Sequence, residues 1–311
     1  MKSLTVASYA KINLGLEVLG LRSDGYHELR TLFQAIDLHD DITFRSRRSG
    51  IQVRCDHPGV PKDATNLAAR AASALARYGH VTQGVEIAIT KRIPVAGGLG
   101  GGSSNAAATL LGLDRLWGLD LGPAGLYPLA RRLGADVPFF LLGGTALGLA
   151  RGDEVYPLHR QVRGHVVLVD LGRPVSTAAV FRRVDESLTP RENSYTIFLF
   201  VSRDLEGELA FSALSNDLED AALSEAPDLR GAIERTRGIL RGAGCSLAAL
   251  SGSGSSFFGL FEDARRAGRA RRALEGAGFR ALSCRTLSLE EYRRRWSRTL
   301  GQARARVGRT R

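Results

Sequence analysis

At 311 residues, with 44% apolar and 24% charged residues, the chain has the length of two domains or one large one and can bury a substantial core. Its apolar runs are short and broken by glycine, the longest lying near Pro138 to Ala150, so no membrane-crossing segment is expected. Three distant cysteines, Cys55, Cys245 and Cys284, point away from a disulfide framework or zinc site and toward a reducing, cytoplasmic setting.

The net charge of +11 suggests a nucleic-acid binder until it is located. Eight arginines and no acidic residue lie between Arg293 and Arg311, and without them 35 basic residues face 32 acidic ones. The body is therefore nearly balanced. Residues 291–311 are expected to form a basic, disordered tail, making at most a weak contact with nucleic acid or another anionic surface.

Leu4 to Val18 reads as a long strand or bent strand pair, with Lys11 and Asn13 on the parity opposite Ile12, Leu14 and Leu16. The Asp24-Gly25 turn follows, then Tyr26 and His27, which either stack on and hydrogen-bond a planar ligand or simply open a strand. Thr31 to Leu38 and Asp41 to Arg47 look like separate strands. Thr65 to Ala76 reads as a helix capped by Thr65 or Asn66.

Gly84 to Lys91 alternates with period two and reads as a strand. It runs into Pro94-Val-Ala-Gly-Gly-Leu-Gly-Gly-Gly-Ser-Ser104, in which five of the six residues from Gly97 to Gly102 are glycine. Without Cβ atoms such a backbone can approach a ligand closely. Ser103 and Ser104 are placed to cap a helix over Asn105 to Trp117. Strand, glycine loop and helix N-terminus gather unpaired N–H groups and the positive end of a helix dipole, a place suited to phosphate. Neither the Walker A pattern nor the dinucleotide G-x-G-x-x-G pattern fits this loop, since Ser103 stands where the former needs lysine.

A helix over Pro123 to Leu133 delivers Asp136 between Ala135 and the apolar Val-Pro-Phe-Phe-Leu-Leu. Such a carboxylate either caps a helix or has a chemical role. The glycine-rich stretch Gly143 to Gly152 closes a first domain over 1–155, and 156–290 forms a second. In the latter, Val166 to Leu171 is a buried strand. Pro174 to Asp185 is turn and helix and carries Phe181, while Tyr195 to Val201 reads as a short strand or apolar helix. Helices open at Asn216 and over Ala226 to Gly242. Ser251 to Ser256 is a second glycine-rich turn that approaches either a ligand or the first loop. A helix over Ala264 to Ala277 and a strand over Ala281 to Leu289 complete it.

Ala10-Lys-Ile-Asn13, Pro94 to Ser104 and Leu250-Ser-Gly-Ser-Gly254, in that order, resemble the three signature motifs of the GHMP kinases. The resemblance implies an α+β, two-domain GHMP kinase fold, with an N-terminal nucleotide-binding α/β domain and a C-terminal ferredoxin-like α+β domain. Asp24-Gly-Tyr-His-Glu, Leu133-Gly-Ala-Asp-Val-Pro138 and Asn216-Asp-Leu narrow it to members that use ATP, with Mg2+, to phosphorylate the 2-hydroxyl of a cytidine-diphosphate-linked polyol on the non-mevalonate route to isoprenoid precursors. A kinase for another small alcohol and an inactive ligand-binding relative are the alternatives.

The resemblance assigns Asp136 as the base and Lys11 as the cation beside it. It implies that Pro94, Val95, Ala96, Gly97, Gly98, Leu99, Gly100, Gly101, Gly102, Ser103 and Ser104 cradle the triphosphate, Ser104 doubling as a magnesium contact. Asn66 and Lys91 resemble residues near the adenosine. Asn13, Tyr26, His27, Phe33 and Phe181 resemble the second substrate's pocket, Tyr26 and Phe181 facing the cytosine and His27 its edge. Tyr9 stands where the first motif usually has proline, 187–211 matches poorly, and the arginine tail runs past the usual end.

Overall fold

A computed structural model of the chain describes residues 3–187, 197, 201 and 211–307. Two sheets stack face to face, and helices cover their outer sides. The first sheet holds β1 (Ser3–Leu21), β2 (His27–Arg47), β3 (Ile51–Cys55), β4 (Gly84–Thr90), β5 (Thr145–Leu149) and β6 (Glu154–Pro157). β1 pairs with one edge of β2 along almost its whole length. The other edge of β2 is shared, its first half taking β5 through Thr31–Gln34 and its second half taking β4 through Asp41–Arg47. Helices α1 (Leu67–Tyr78), α2 (Gly101–Trp117), α3 (Gly122–Leu133) and α4 (Val137–Leu142) cover this sheet's outer face.

The second sheet is antiparallel, in the order β10 (Arg280–Arg285), β7 (His165–Asp170), β9 (Ser256–Phe261), β8 (Leu247–Leu250). Fourth, first, third, second is the ferredoxin-like order that the family resemblance implied. Its outer face carries α5 (Thr177–Ser187), α6 (Leu218–Glu225), α7 (Arg230–Gly242) and α8 (Ala264–Gly276).

The alternation along β7 shows why that run is apolar throughout. Val167 and Val169 join the helix-side core, while Val166 and Leu168 pack with Ile12, Leu14, Leu32 and Ile36 of the first sheet. A strand buried on both faces has no solvent side to mark its period.

Three expectations change. The two strands drawn from Thr31 to Arg47 are one, because Tyr9 and Ser8 of β1 continue the ladder opposite His39 and Asp40. The first sheet extends to Pro157, so a boundary at 155 cuts through β6. Helix α2 starts at Gly101 with left-handed Gly100 at its cap and no capping side chain, which puts Ser103 and Ser104 in the first turn. Tyr195 to Val201 lies outside the described residues save for Ile197 and Val201.

The expected tail begins as a helix. After β10 the chain returns to the first sheet, where the Leu287 N–H donates to Ala35 O (2.8 Å) in the unshared middle of β2. Helix α9 (Leu289–Val307) starts there. Tyr292 is buried and donates its hydroxyl to Phe140 O at 2.7 Å, and Trp296, one turn on, is 8% exposed in the same core. The arginine count concealed this pair, whose i, i+4 spacing puts both rings on one helix face. Ending the chain after Tyr292 is expected to cost about 3 kcal/mol of stability, the lower end of large-aromatic deletions. Urea unfolding measures it, and an unchanged midpoint would show that the Trp296 contact contributes nothing.

Candidate active site

Where β4 ends, the chain turns out of the sheet and its N–H groups lose their ladder partners. Two aspartates take them: Asp56 Oδ1 accepts from Lys91 N (2.9 Å), and Asp40 Oδ1 accepts from Arg92 N (2.8 Å) and Ile93 N (2.9 Å). The glycine loop that follows is held by backbone. Lys11 N of β1 donates to Leu99 O at 3.1 Å, Ser256 N to Gly97 O at 3.2 Å, and Ser251 Oγ to Gly98 O at 3.0 Å. The second glycine-rich turn thus packs on the first loop, while its Gly252 and Ser253 also reach the cavity. Asn216 secures that turn from behind, donating from Nδ2 to Leu250 O and Gly252 O at 2.9 and 2.7 Å.

Gly98 shows why the contact demands glycine. Its φ is +73°, and a Cβ there would stand 1.9 Å from Ser251 O. Gly100, at φ +68°, lies against Lys11 and the Phe140 ring. The left-handed turn at Gly100 starts α2 and aims the free N–H groups of its first turn into the cavity that the loop lines.

Lys11 and Asp136 meet in that cavity, with Lys11 Nζ 3.6 Å from Asp136 Oδ2. The lysine side chain is 5% exposed and the aspartate 34%. Asp136 precedes α4 but makes no capping bond, so the helix-capping reading of this residue does not hold. Lys11 Nζ also donates to Asn13 Oδ1 (2.5 Å), and the Asn13 amide is fixed in turn. Its Nδ2 donates to Thr31 Oγ1 (2.8 Å), whose hydroxyl is spent on Gly15 O (2.9 Å). This relay holds the ammonium beside one carboxylate and 5.7 Å above the centre of the Phe33 ring.

The cavity has a volume of about 620 Å³, well within the range for small-molecule sites. Its lining includes Lys11, Asn13, Phe33, Asn66, Lys91, Asp136, Phe181 and the loop from Pro94 to Ser103. Four assigned residues stand differently from the roles the resemblance gave them. Ser104 is buried and donates to Tyr9 O (2.6 Å), so its hydroxyl ties α2 to β1 and does not line the cavity. Asn66 is the cap of α1, accepting from Ala68 N and donating to Pro61 O, and so meets the cavity with both ends of its amide engaged.

Tyr26 and His27 are outside the lining. His27 stacks on Phe181 with ring centroids 4.8 Å apart and holds Asp185 Oδ1 at 2.7 Å from Nε2. Tyr26 is 53% exposed, with the Arg151 guanidinium 4.6 Å from its ring centre. An aromatic slot between Tyr26 and Phe181 is thus not preformed, because one face of each ring already has a partner.

Sequence reasoning missed Asp40 and Arg151. Arg151 lines the cavity and is aimed by fully buried Asp153, whose Oδ2 accepts from Arg151 and Arg131 at 2.9 Å each. Burial works to raise the Asp153 carboxyl, but the two arginines overcome it and hold the group below the usual carboxylate range. Its place at the end of a glycine-rich stretch, read only as a domain closure, was the available signal for Arg151. For Asp40 there was none, since it fell in the gap between the two strands drawn over Thr31 to Leu38 and Asp41 to Arg47.

The layered fold, with a glycine loop between a strand and a helix N-terminus at the cavity, defines a class, and known proteins agree. The pattern described as GHMP kinases N terminal domain matches residues 66–144, and that described as GHMP kinases C terminal matches 202–280. The chain is similar to 4-diphosphocytidyl-2-C-methyl-D-erythritol kinases of Gloeobacter violaceus (40% identical, covering 92% of this chain and 95% of that protein) and Geobacter sulfurreducens (41%, covering 92% and 100%). A crystal structure of 4-(cytidine 5'-diphospho)-2C-methyl-D-erythritol kinase superposes with a TM-score of 0.74 at 38% identity, over 91% of this chain and 99% of that one. Homoserine kinase from Cytophaga hutchinsonii shares the fold at 19% identity and a TM-score of 0.70, over 93% and 95%. The chain belongs to the 4-diphosphocytidyl-2-C-methyl-D-erythritol kinase family of the GHMP kinases.

The loop-on-loop contact gives a direct test. Gly98→Ala should force the two glycine turns apart and weaken ATP binding at least tenfold, about 1.4 kcal/mol, by calorimetry. Wild-type affinity in that variant would show that the close approach does not shape the cradle.

Proposed function

We propose that the protein transfers the terminal phosphoryl group of ATP to the 2-hydroxyl of 4-diphosphocytidyl-2-C-methyl-D-erythritol. The observation that carries this reading is the Lys11–Asp136 pair, 3.6 Å apart in a cavity walled by the glycine loop. Phosphoryl transfer needs an aligned nucleophile and charge stabilisation more than covalent help. Asp136 accepts the hydroxyl proton as the new O–P bond forms and the bond to the bridging oxygen breaks, releasing ADP. Lys11, 3.6 Å from the carboxylate, holds it in place and offsets the negative charge gathering at the attacked phosphoryl group.

The loop and the first turn of α2 take the triphosphate through N–H groups. Magnesium suits a site that offers phosphate and water oxygens in place of an all-protein cage. The Ser103 hydroxyl, which lines the cavity, would serve it there, where it would neutralise phosphate charge. Asn13, Phe33, Phe181 and Arg151 would form the walls for the cytidyl substrate. A cytoplasmic setting accords with three unpaired cysteines.

Asp136→Asn should retain ATP binding and lose turnover by a factor of about 10²–10⁴, the usual contribution of a positioned base. A coupled ADP-release assay measures it, and near-normal turnover would remove Asp136 from the chemistry. The same assay over a panel of alcohols, with and without a cytidine diphosphate group, tests the acceptor. Phe181→Ala should weaken the cytidyl substrate roughly tenfold, in line with about 1–3 kcal/mol for a stacked base, and leave ATP affinity unchanged by calorimetry.

A further inference from the structure

Asp40 lies on β2 one residue beyond Asp41, where the ladder with β4 ends, and it is fully buried. Both of its oxygens are saturated by groups that flank the glycine loop. Oδ1 accepts from Arg92 N and Ile93 N, the last N–H groups before the loop. Oδ2 accepts from Lys91 Nζ at 2.5 Å, a pair in which the amine side chain is 6% exposed and the carboxylate not at all. On the far side of the loop, Asn105 in the first turns of α2 is assigned the amide orientation that satisfies its neighbours, placing its nitrogen 3.0 Å from the same Oδ2, 3.1 Å from Gly101 O and 2.8 Å from Ser8 Oγ. The opposite orientation of that amide would set acceptor against acceptor.

One carboxylate therefore ties the strand that feeds the loop to the helix that leaves it. Lys91 is drawn into the same knot. Its amine lies 3.1 Å from where a Cβ on Gly101 would stand, directly beneath the helix start, and its charge is matched by Asp40. Neutralising this cation from below leaves the helix N-terminus and its N–H groups as the cradle's attraction for phosphate. It also satisfies four donors that burial would otherwise penalise by about 1–3 kcal/mol each.

We infer that Asp40 is a positioning residue for the nucleotide: without touching ATP, it sets the separation of the loop's two ends and so the affinity of the phosphate cradle. This rests on the loop being the triphosphate site, as proposed above. The test is calorimetric ATP binding together with steady-state kinetics for both substrates. Asp40→Asn keeps the size of the side chain and an acceptor for Arg92 N and Ile93 N, but loses the charge that holds Lys91. The expected result is a rise of about tenfold or more in the ATP Kd and KM, with the KM for the cytidyl substrate within twofold of wild type.

A structural defect alone would move both KM values together, and that outcome overturns the proposal, as does an unchanged ATP Kd. If Asp40→Asn does not fold, as judged by circular dichroism, Asn105→Ala decides. It cuts the helix-side tether and leaves the buried pair intact, and should raise the ATP Kd about threefold. No change there overturns the proposal. Absence of ATP binding in the wild-type protein would instead refute the phosphate-site reading itself, so the two failures are distinct.

Discussion

The site depends on one close approach of backbone to backbone. Gly97, Gly98 and Leu99 present their carbonyls to Ser256 N, Ser251 Oγ and Lys11 N, so the first glycine loop is gripped by the second domain's turn on one side and by β1 on the other. At Gly98 only a hydrogen fits between the two loops. The sheet-to-sheet core of Ile12, Leu14, Val166, Leu168 and Phe258 supplies the platform that keeps them pressed together. Because β1 carries both the Leu99 contact and the Lys11 side chain, the constraint that shapes the glycine loop also sets the depth of the Lys11 ammonium in the cavity.

The polar groups around that cation follow a consistent logic. Each buried charge or amide is assigned its partner by the next group out: Gly15 O orders Thr31, Thr31 orders Asn13, and Asn13 orders Lys11. Asp153 does the same for Arg151. Buried polar groups without partners are costly, so such chains leave few alternative arrangements. The aromatic side of the pocket is looser. His27 and Tyr26 are engaged with Phe181 and Arg151, which are themselves cavity residues.

Much of this was legible locally. Strand, glycine loop and helix could be read from a period of two, a loss of Cβ atoms and a period near four, and Lys11 and Asn13 from their shared parity in β1. What escaped depended on contacts across the sequence. Nothing near Asp40 reveals that β4 ends beside it, so a buried hub fell in the gap between two expected strands. Ser104 had the chemistry of a cap or phosphate ligand, but the left-handed turn at Gly100 moved the helix start and aimed its hydroxyl at Tyr9 O. In the last segment the arginines dominated the composition, while two aromatic rings four residues apart decided its packing.

That returning segment sets an order of events. The first sheet, though encoded at the start of the chain, receives Leu287, Tyr292 and Trp296 from its far end. A ribosome releases the N-terminal half long before those residues exist, so the nascent chain carries an incompletely covered core through most of its synthesis. The earliest part of the protein to be made is thus completed late, by a helix that leaves the exit tunnel only after the whole second sheet.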